Sequence, residues 1–131
     1  MKKRGFTLIE LVMVIVILGI LAAMVLPRFI DLTTKARESA AKGALGAVRA
    51  AVAIKYASNA AYGLTPLIPG TIEADMFQEG KIPAEVASVS GGNSAVYVTG
   101  EAPTGVGEDG GWWYDSANGR VWINHSLYTG W

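Results

Sequence analysis

The chain has 131 residues, with eleven Lys/Arg balanced by eleven Asp/Glu and 51% hydrophobic residues, so one small domain beside an apolar segment is the expected organisation. It has no cysteine, which excludes disulfide staples and thiolate metal sites. Through Lys55 there are nine Lys/Arg against three Asp/Glu, and from Tyr56 onward two against eight; that acidic half argues against nucleic acid, whose phosphates need clustered cations.

Lys2, Lys3 and Arg4 precede an apolar run. Sixteen residues from Leu11 to Leu26 carry no charge, and counting back to Phe6 gives twenty-one interrupted only by Thr7 and Glu10. A helix of that length spans a bilayer. The three leading cations keep this end in the cytoplasm and send the rest outward. A carboxylate within such a segment calls for a partner cation, which makes Glu10 the residue to explain. A secretory signal peptide cut near Leu21-Ala22-Ala23 is the competing reading. Glu10, the glycine directly after the basic cluster and helical patterning beyond Ala23 stand against it.

The stretch Gly5-Phe6-Thr7-Leu8-Ile9-Glu10-Leu11, followed by the apolar run and Pro27, resembles the class III leader of type IV prepilins and type II secretion pseudopilins. Leu26-Pro27-Arg28-Phe29-Ile30-Asp31-Leu32 and the alanine-rich stretch to Tyr62 look most like the mannose-sensitive haemagglutinin branch of pilins. The resemblance covers about the first half of the chain. It implies cleavage after Gly5 and N-methylation of Phe6, and the partner cation that Glu10 calls for is then expected to be the Phe6 ammonium of a neighbouring subunit. It also implies an α+β pilin-like fold, with a long N-terminal helix packed on a small antiparallel β-sheet.

On that reading residues 1–5 are the leader, 6–26 the transmembrane and filament-core helix, 27–62 its amphipathic continuation and 63–131 the head. The implied function is a structural, non-enzymatic type IV pilus subunit in adhesion, attachment or motility; the alternative is a pseudopilin of a type II secretion system. The implied partners are a prepilin peptidase and methyltransferase, an inner-membrane assembly machinery and further copies of the chain. The precursor is expected in the inner membrane and the product in an extracellular pilus or a periplasmic pseudopilus. A third class is a single-pass anchored binding module that does not assemble. The lack of cysteine departs from the C-terminal disulfide loop of many pilins.

Pro27 lacks an N–H and clashes with the carbonyl of Ala23, so a kink is expected there, with Gly19 weakening the same region. Beyond it Lys35, Glu38, Lys42 and Arg49 fall on one charged stripe. Ala40, Ala41, Ala44, Ala47, Val48, Ala51 and Val52 form a surface of small residues expected to pack under a sheet. Tyr62-Gly63-Leu64-Thr65-Pro66 stops the helix. A short helix from Ile72 to Phe77, capped by Thr71, is expected next.

Ala95 to Thr99 reads as a strand. Trp112 to Asp115 and Arg120 to Asn124 flank Ser116-Ala117-Asn118-Gly119 and read as a hairpin, because Asn-Gly is a strong local turn signal. Alternation places Trp112 and Tyr114 on one face and Trp113 on the other, and sets Trp122 opposite Val121 and Ile123. His125 is the only histidine and has no acid-base partner at a motif spacing, so catalysis has little support. No cofactor is expected, although Glu108, Asp109 and Asp115 supply oxygen atoms of the kind that bind calcium, without EF-hand spacing. Asn124-His125-Ser126 matches a glycosylation sequon but reads as an ordinary strand end. The four tryptophans and five tyrosines are expected to pack in the core and sheet rather than face a ligand.

Overall fold

A computed structural model describes residues 5–86, 92–101 and 110–128. One helix, α1 (Leu8–Ala61), is followed by a 3-10 turn (Ala74–Met76), strands β1 (Val96–Thr99), β2 (Trp112–Asp115) and β3 (Arg120–Ile123), and a second 3-10 turn (Ser126–Tyr128). The chain divides into two units, residues 1–36 and 37–131.

In the first unit every described residue is exposed. Leucine, isoleucine, valine and methionine keep their backbone groups paired by staying helical, while their side chains find no partner within the unit. α1 continues through Gly19 and Pro27. Pro27 still leaves the Ala23 carbonyl without an N–H donor. One turn further on, the Thr33 hydroxyl donates to the Phe29 carbonyl at 2.9 Å and Thr34 to that of Ile30 at 3.1 Å, a back-bonding that bends and slightly weakens helices.

In the second unit α1 buries Ala41, Leu45, Val48 and Val52, at helical spacing, with Ala51 beside them. They pack with Ile72, Trp112, Tyr114, Val121 and Ile123 in one core. Ala40 and Ala47 of the small-residue surface face outward instead. The helix ends in a Schellman motif. Leu64 N–H donates to the Asn59 carbonyl at 2.8 Å and Gly63 N–H to that of Ala60 at 3.3 Å. Gly63 has φ +66°, which L side chains rarely adopt. The Asn59 side-chain amide then donates to the Leu67 carbonyl at 3.0 Å and ties the following loop, which contains a cis Thr65–Pro66 bond, back to the helix.

Between loop and sheet, the helix expected over Ile72 to Phe77 is a single 3-10 turn. Glu73, not Thr71, holds its N-cap position and makes no side-chain cap bond, and Phe77 is already extended. Core packing overrides local propensity here. Ile72 is buried, and Met76 and Phe77 pack against the same cluster, a spread that one turn followed by extended backbone can reach.

The sheet has the order β1-β2-β3 and is mixed, not antiparallel throughout. β1 pairs parallel to β2, with Val96 opposite Trp112, and β2 pairs antiparallel to β3, with Trp113 opposite Trp122. The connection over residues 100–111 is long enough to return the chain to the same end of the sheet, as a parallel pair requires and a tight hairpin cannot do. At its close, Trp112 N–H donates to the Ala95 carbonyl at 2.8 Å. A Cβ on Gly111 would lie 2.6 Å from that oxygen, so only glycine fits.

The alternation holds: Trp112, Tyr114, Val121 and Ile123 are buried, and Trp113 and Trp122 are half-buried on the other face. Both buried aromatics on β2 find partners for their polar atoms. Trp112 Nε1–H donates to the Pro83 carbonyl at 2.7 Å, and the Tyr114 hydroxyl to that of Pro69 at 2.6 Å. Burial, and then the charge of Asp115, push the Tyr114 phenol above its ordinary pKa.

Arg49 departs from the expected charged stripe. Its Nε and Nη2 donate to the Val121 carbonyl at 3.2 and 3.0 Å, so α1 covers a polar group on the outer edge of β3. Lys42 and Glu38 remain on the stripe as an i, i+4 pair at 3.2 Å.

The hairpin turn is organised by Asp115, which is 2% exposed. Its Oδ1 accepts from the backbone N–H of Ala117 and Asn118, and its Oδ2 from the Asn118 side-chain amide at 2.9 Å. The Asn118 amide is the main cause that holds the carboxyl below its ordinary pKa; burial opposes it, and the two backbone donors and the Arg120 charge assist.

Arg49→Met should destabilise the head by about 1–3 kcal/mol, and Arg49→Lys should recover only part of this, because one ammonium does not reproduce the fork. Urea unfolding of the full chain in detergent micelles, followed by tryptophan fluorescence, measures both; an unchanged midpoint in Arg49→Met would refute the role of the contact. Because the Asp115 pKa is depressed in the folded state, its contribution is present above the unfolded value and is lost as pH falls through the folded one. The stability gap between wild type and Asp115→Asn should therefore narrow as pH falls below the usual carboxylate range, and a gap independent of pH would contradict this.

Candidate functional site

Gly5 and Phe6 precede the helix, and Phe6 is 83% exposed. Gly5 has no positive φ, and a Cβ built on it would meet nothing within 4 Å. The chain's own fold makes no demand for glycine there.

α1 starts at a capping box. Thr7 N–H donates to Glu10 Oε2 at 2.8 Å and the Thr7 hydroxyl to the same oxygen at 2.7 Å, while Glu10 N–H donates to Thr7 Oγ1 at 3.3 Å. Thr7 is the N-cap and Glu10 the third helical residue, the spacing at which each side chain reaches the other's backbone N–H. The carboxylate that stands out in the apolar run therefore has a local task, holding the first turn closed. The sequence signal for it, Thr-x-x-Glu directly ahead of an apolar run, is present at residues 7–10. Sequence reasoning treated both residues as interruptions and missed it. Both of these bonds end on Oε2, so Oε1 has no partner among the described residues and is open to a second donor.

The rest of the segment follows Glu10 along one helix. Leu8–Ala61 contains a window with mean hydropathy 3.0, none of it buried, long and apolar enough to cross a membrane. Pro27 and Gly19 lie within that helix, 17 and 9 residues beyond Glu10 in sequence.

The head's candidates separate. Asp115 is in the hairpin, with both oxygens engaged by the turn, and Asp109 lies outside the described residues. Among the described residues no group of three or more acidic or histidine side chains is placed to hold a metal ion. Asn124 of the sequon is 3% exposed, and its side-chain amide donates to the Gly110 carbonyl at 3.1 Å, which closes it to modification in the folded head. His125 lies against Tyr128, with ring centroids 5.0 Å apart. Clefts of about 260 and 290 Å³ flank Gly119 and share Arg49; neither is lined by a histidine or a carboxylate.

Residues 1–26 match the family described as the prokaryotic N-terminal methylation motif. The type IV narrow pilus major component PilA5 of Thermus thermophilus is 54% identical over 54 residues, 41% of this chain and 47% of that protein. The type II secretion system core protein G of Pseudomonas aeruginosa is 44% identical over 64 residues, 49% of this chain and 45% of that protein. The type IV major alpha-pilin of Moraxella bovis is 34% identical over 107 residues, 80% of this chain and 65% of that protein. The chain thus spans about half the length of the first two relatives and less than two thirds of the third. No solved structure gives a significant match. With the methylation motif at its N-terminus, the apolar helix exposed behind it and one pilin relative matched over 107 residues, the chain is similar to type IV pilins and to a type II secretion core protein.

Proposed function

We propose that this chain is a structural subunit of a type IV pilus, cleaved after Gly5, N-methylated at Phe6 and polymerised through its N-terminal helix. The observation that carries this reading is the pairing of an exposed apolar helix with an N-terminal carboxylate whose Oε1 is open. Cleavage removes Lys2, Lys3 and Arg4 and creates the Phe6 ammonium, which methylation leaves positive. A neighbour's ammonium reaches Oε1 while Oε2 stays in the capping box, so assembly does not require the helix start to open. Both charges are then shielded by the surrounding aliphatic helices, where an ion pair is screened little and one charge alone is costly. Contacts of this head-to-tail kind do not close on themselves and build a helical filament.

Before assembly the same helix holds the precursor in the inner membrane, with the basic tip inside and the head outside. Gly19 and Pro27 let it extend or unwind on the way from bilayer to filament. The likeness to the mannose-sensitive haemagglutinin branch after Pro27 favours adhesion and surface attachment as the role of the fibre.

A second reading, a pseudopilin forming a short periplasmic filament for protein export, is favoured by the 44% identity to core protein G. Immunolabelled fibres sheared from the cell surface support the pilus; unlabelled surfaces with a secretion defect in the deletion strain support the pseudopilus. A head that stays monomeric in detergent extracts, with Gly5 retained, would leave only an anchored binding module.

Gly5→Ser should block processing, since Gly5 is free of crowding in this chain and its requirement lies with the enzyme that reads it. Mass spectrometry should find the leader retained; normal cleavage of that variant would refute the assignment. Glu10→Ala should leave membrane insertion intact and abolish most filament formation in a shearing assay, and Glu10→Gln should behave alike because it lacks the charge. Normal fibre yield from Glu10→Gln would count against the ion pair, as would a filament map with the two groups apart. An unbroken helix across residues 19–27 in that map would remove the unwinding step.

A further inference from the structure

The hairpin turn holds reactive chemistry that filament assembly does not use. Asn118 is exposed and is the only asparagine of this chain followed by glycine. In such a pair the backbone nitrogen of the glycine, unshielded because its residue has no Cβ, can attack the asparagine Cγ. Loss of the proton from Gly119 N and formation of the N–Cγ bond break the Cγ–Nδ2 bond. Nδ2 leaves as ammonia, and a cyclic imide remains. Water then opens the ring on either side to give aspartate or isoaspartate, the latter routing the main chain through the side-chain carbon.

The folded turn restrains each atom of that reaction through one residue. Gly119 N–H, the nucleophile in its resting form, donates to the Asp115 carbonyl at 2.8 Å. Asn118 Nδ2, the leaving group, donates to Asp115 Oδ2 at 2.9 Å, and Asn118 N–H donates to Oδ1 at 3.2 Å. Closing the imide ring needs rotation about the Asn118 side chain and main chain, and these three bonds oppose it. The product is also disfavoured in this place. A carboxylate at residue 118 has only acceptors to offer an Asp115 oxygen now served by a donor, and Asp115 is almost wholly buried, so the repulsion between the two is poorly screened.

We propose that Asn118 is a deamidation site held in check by Asp115, so that conversion marks molecules whose hairpin has opened and then prevents the turn from closing in its original form. Because the turn joins β2 to β3, and a Cβ on Gly119 would lie in ordinary contact with Ile68 and Val52, the lesion would be read directly by the core. The inference rests on the head alone and stands whether the fibre is a pilus or a pseudopilus.

The test incubates the full chain in detergent micelles in mildly alkaline buffer, with and without urea, and follows the tryptic segment 82–120 by mass spectrometry. Asn93 in the same segment, followed by Ser94, is the internal reference. Deamidation at Asn118 should be roughly tenfold or more slower in the folded head than in urea, because it must proceed through the open fraction. Asp115→Asn, which keeps an oxygen for the backbone donors but loses the acceptor for Nδ2, should accelerate it severalfold while tryptophan fluorescence stays native. Equal rates with and without urea would overturn the proposal, as would a folded Asp115→Asn chain reacting at the wild-type rate. Should that variant not fold, Asn118→Asp decides: its melting temperature should fall below wild type at neutral pH, and an unchanged value would overturn the proposal.

Discussion

A run of aliphatic side chains that is exposed throughout the described part of the first unit dominates this protein. From Leu11 to Leu26 the large hydrophobic residues are between 39% and 70% exposed. At about 25 cal/mol per Å² of apolar surface, leaving this run in water is costly. A covering that excludes water requires the backbone to satisfy its own hydrogen bonds, which the helix does. The one charge at the start of the run has its own requirement. In lipid it is a cost; beside a cation it is offset.

The capping box changes how that charge is understood. A carboxylate with both oxygens bare is costly wherever water is excluded. Here Oε2 is engaged by two donors of Thr7, so part of the demand is met inside one chain, and Oε1 has no partner among the described residues. The same contact starts the helix at Leu8, which places Phe6 outside the regular turns and exposed.

The head shows the opposite economy. Its three short strands have little intrinsic stability, and they are held by the far part of α1, whose Ala41, Leu45, Val48 and Val52 form the floor of the core. Small residues bring the helix close to the sheet, and Trp112 and Tyr114 supply the bulk. Each spends its polar atom on a carbonyl of the intervening loop, so that loop is fastened by the same side chains that fill the core. Arg49 fastens the helix to the edge of β3, and Asp115 fastens the turn. In a chain without cysteine these hydrogen bonds take the place of covalent links.

Sequence alone determined the features that depend on neighbours along the chain. The apolar length from Phe6 to Leu26, the stop at Gly63 and the hairpin around Asn118-Gly119 all follow from local composition and spacing, and the alternation of Trp112, Trp113 and Tyr114 follows from the strand period of two. Even the capping box was written there, in Thr7 and Glu10, though charge in an apolar run drew attention away from it. Tertiary structure decided what depends on residues far apart. The parallel pairing of β1 with β2, the reduction of the segment at Ile72 to one 3-10 turn, and the turning of Arg49 from the solvent stripe to the Val121 carbonyl each require an element that arrives from elsewhere in the chain. Local propensity carries no information about those partners, and a few contacts in the core outweigh it.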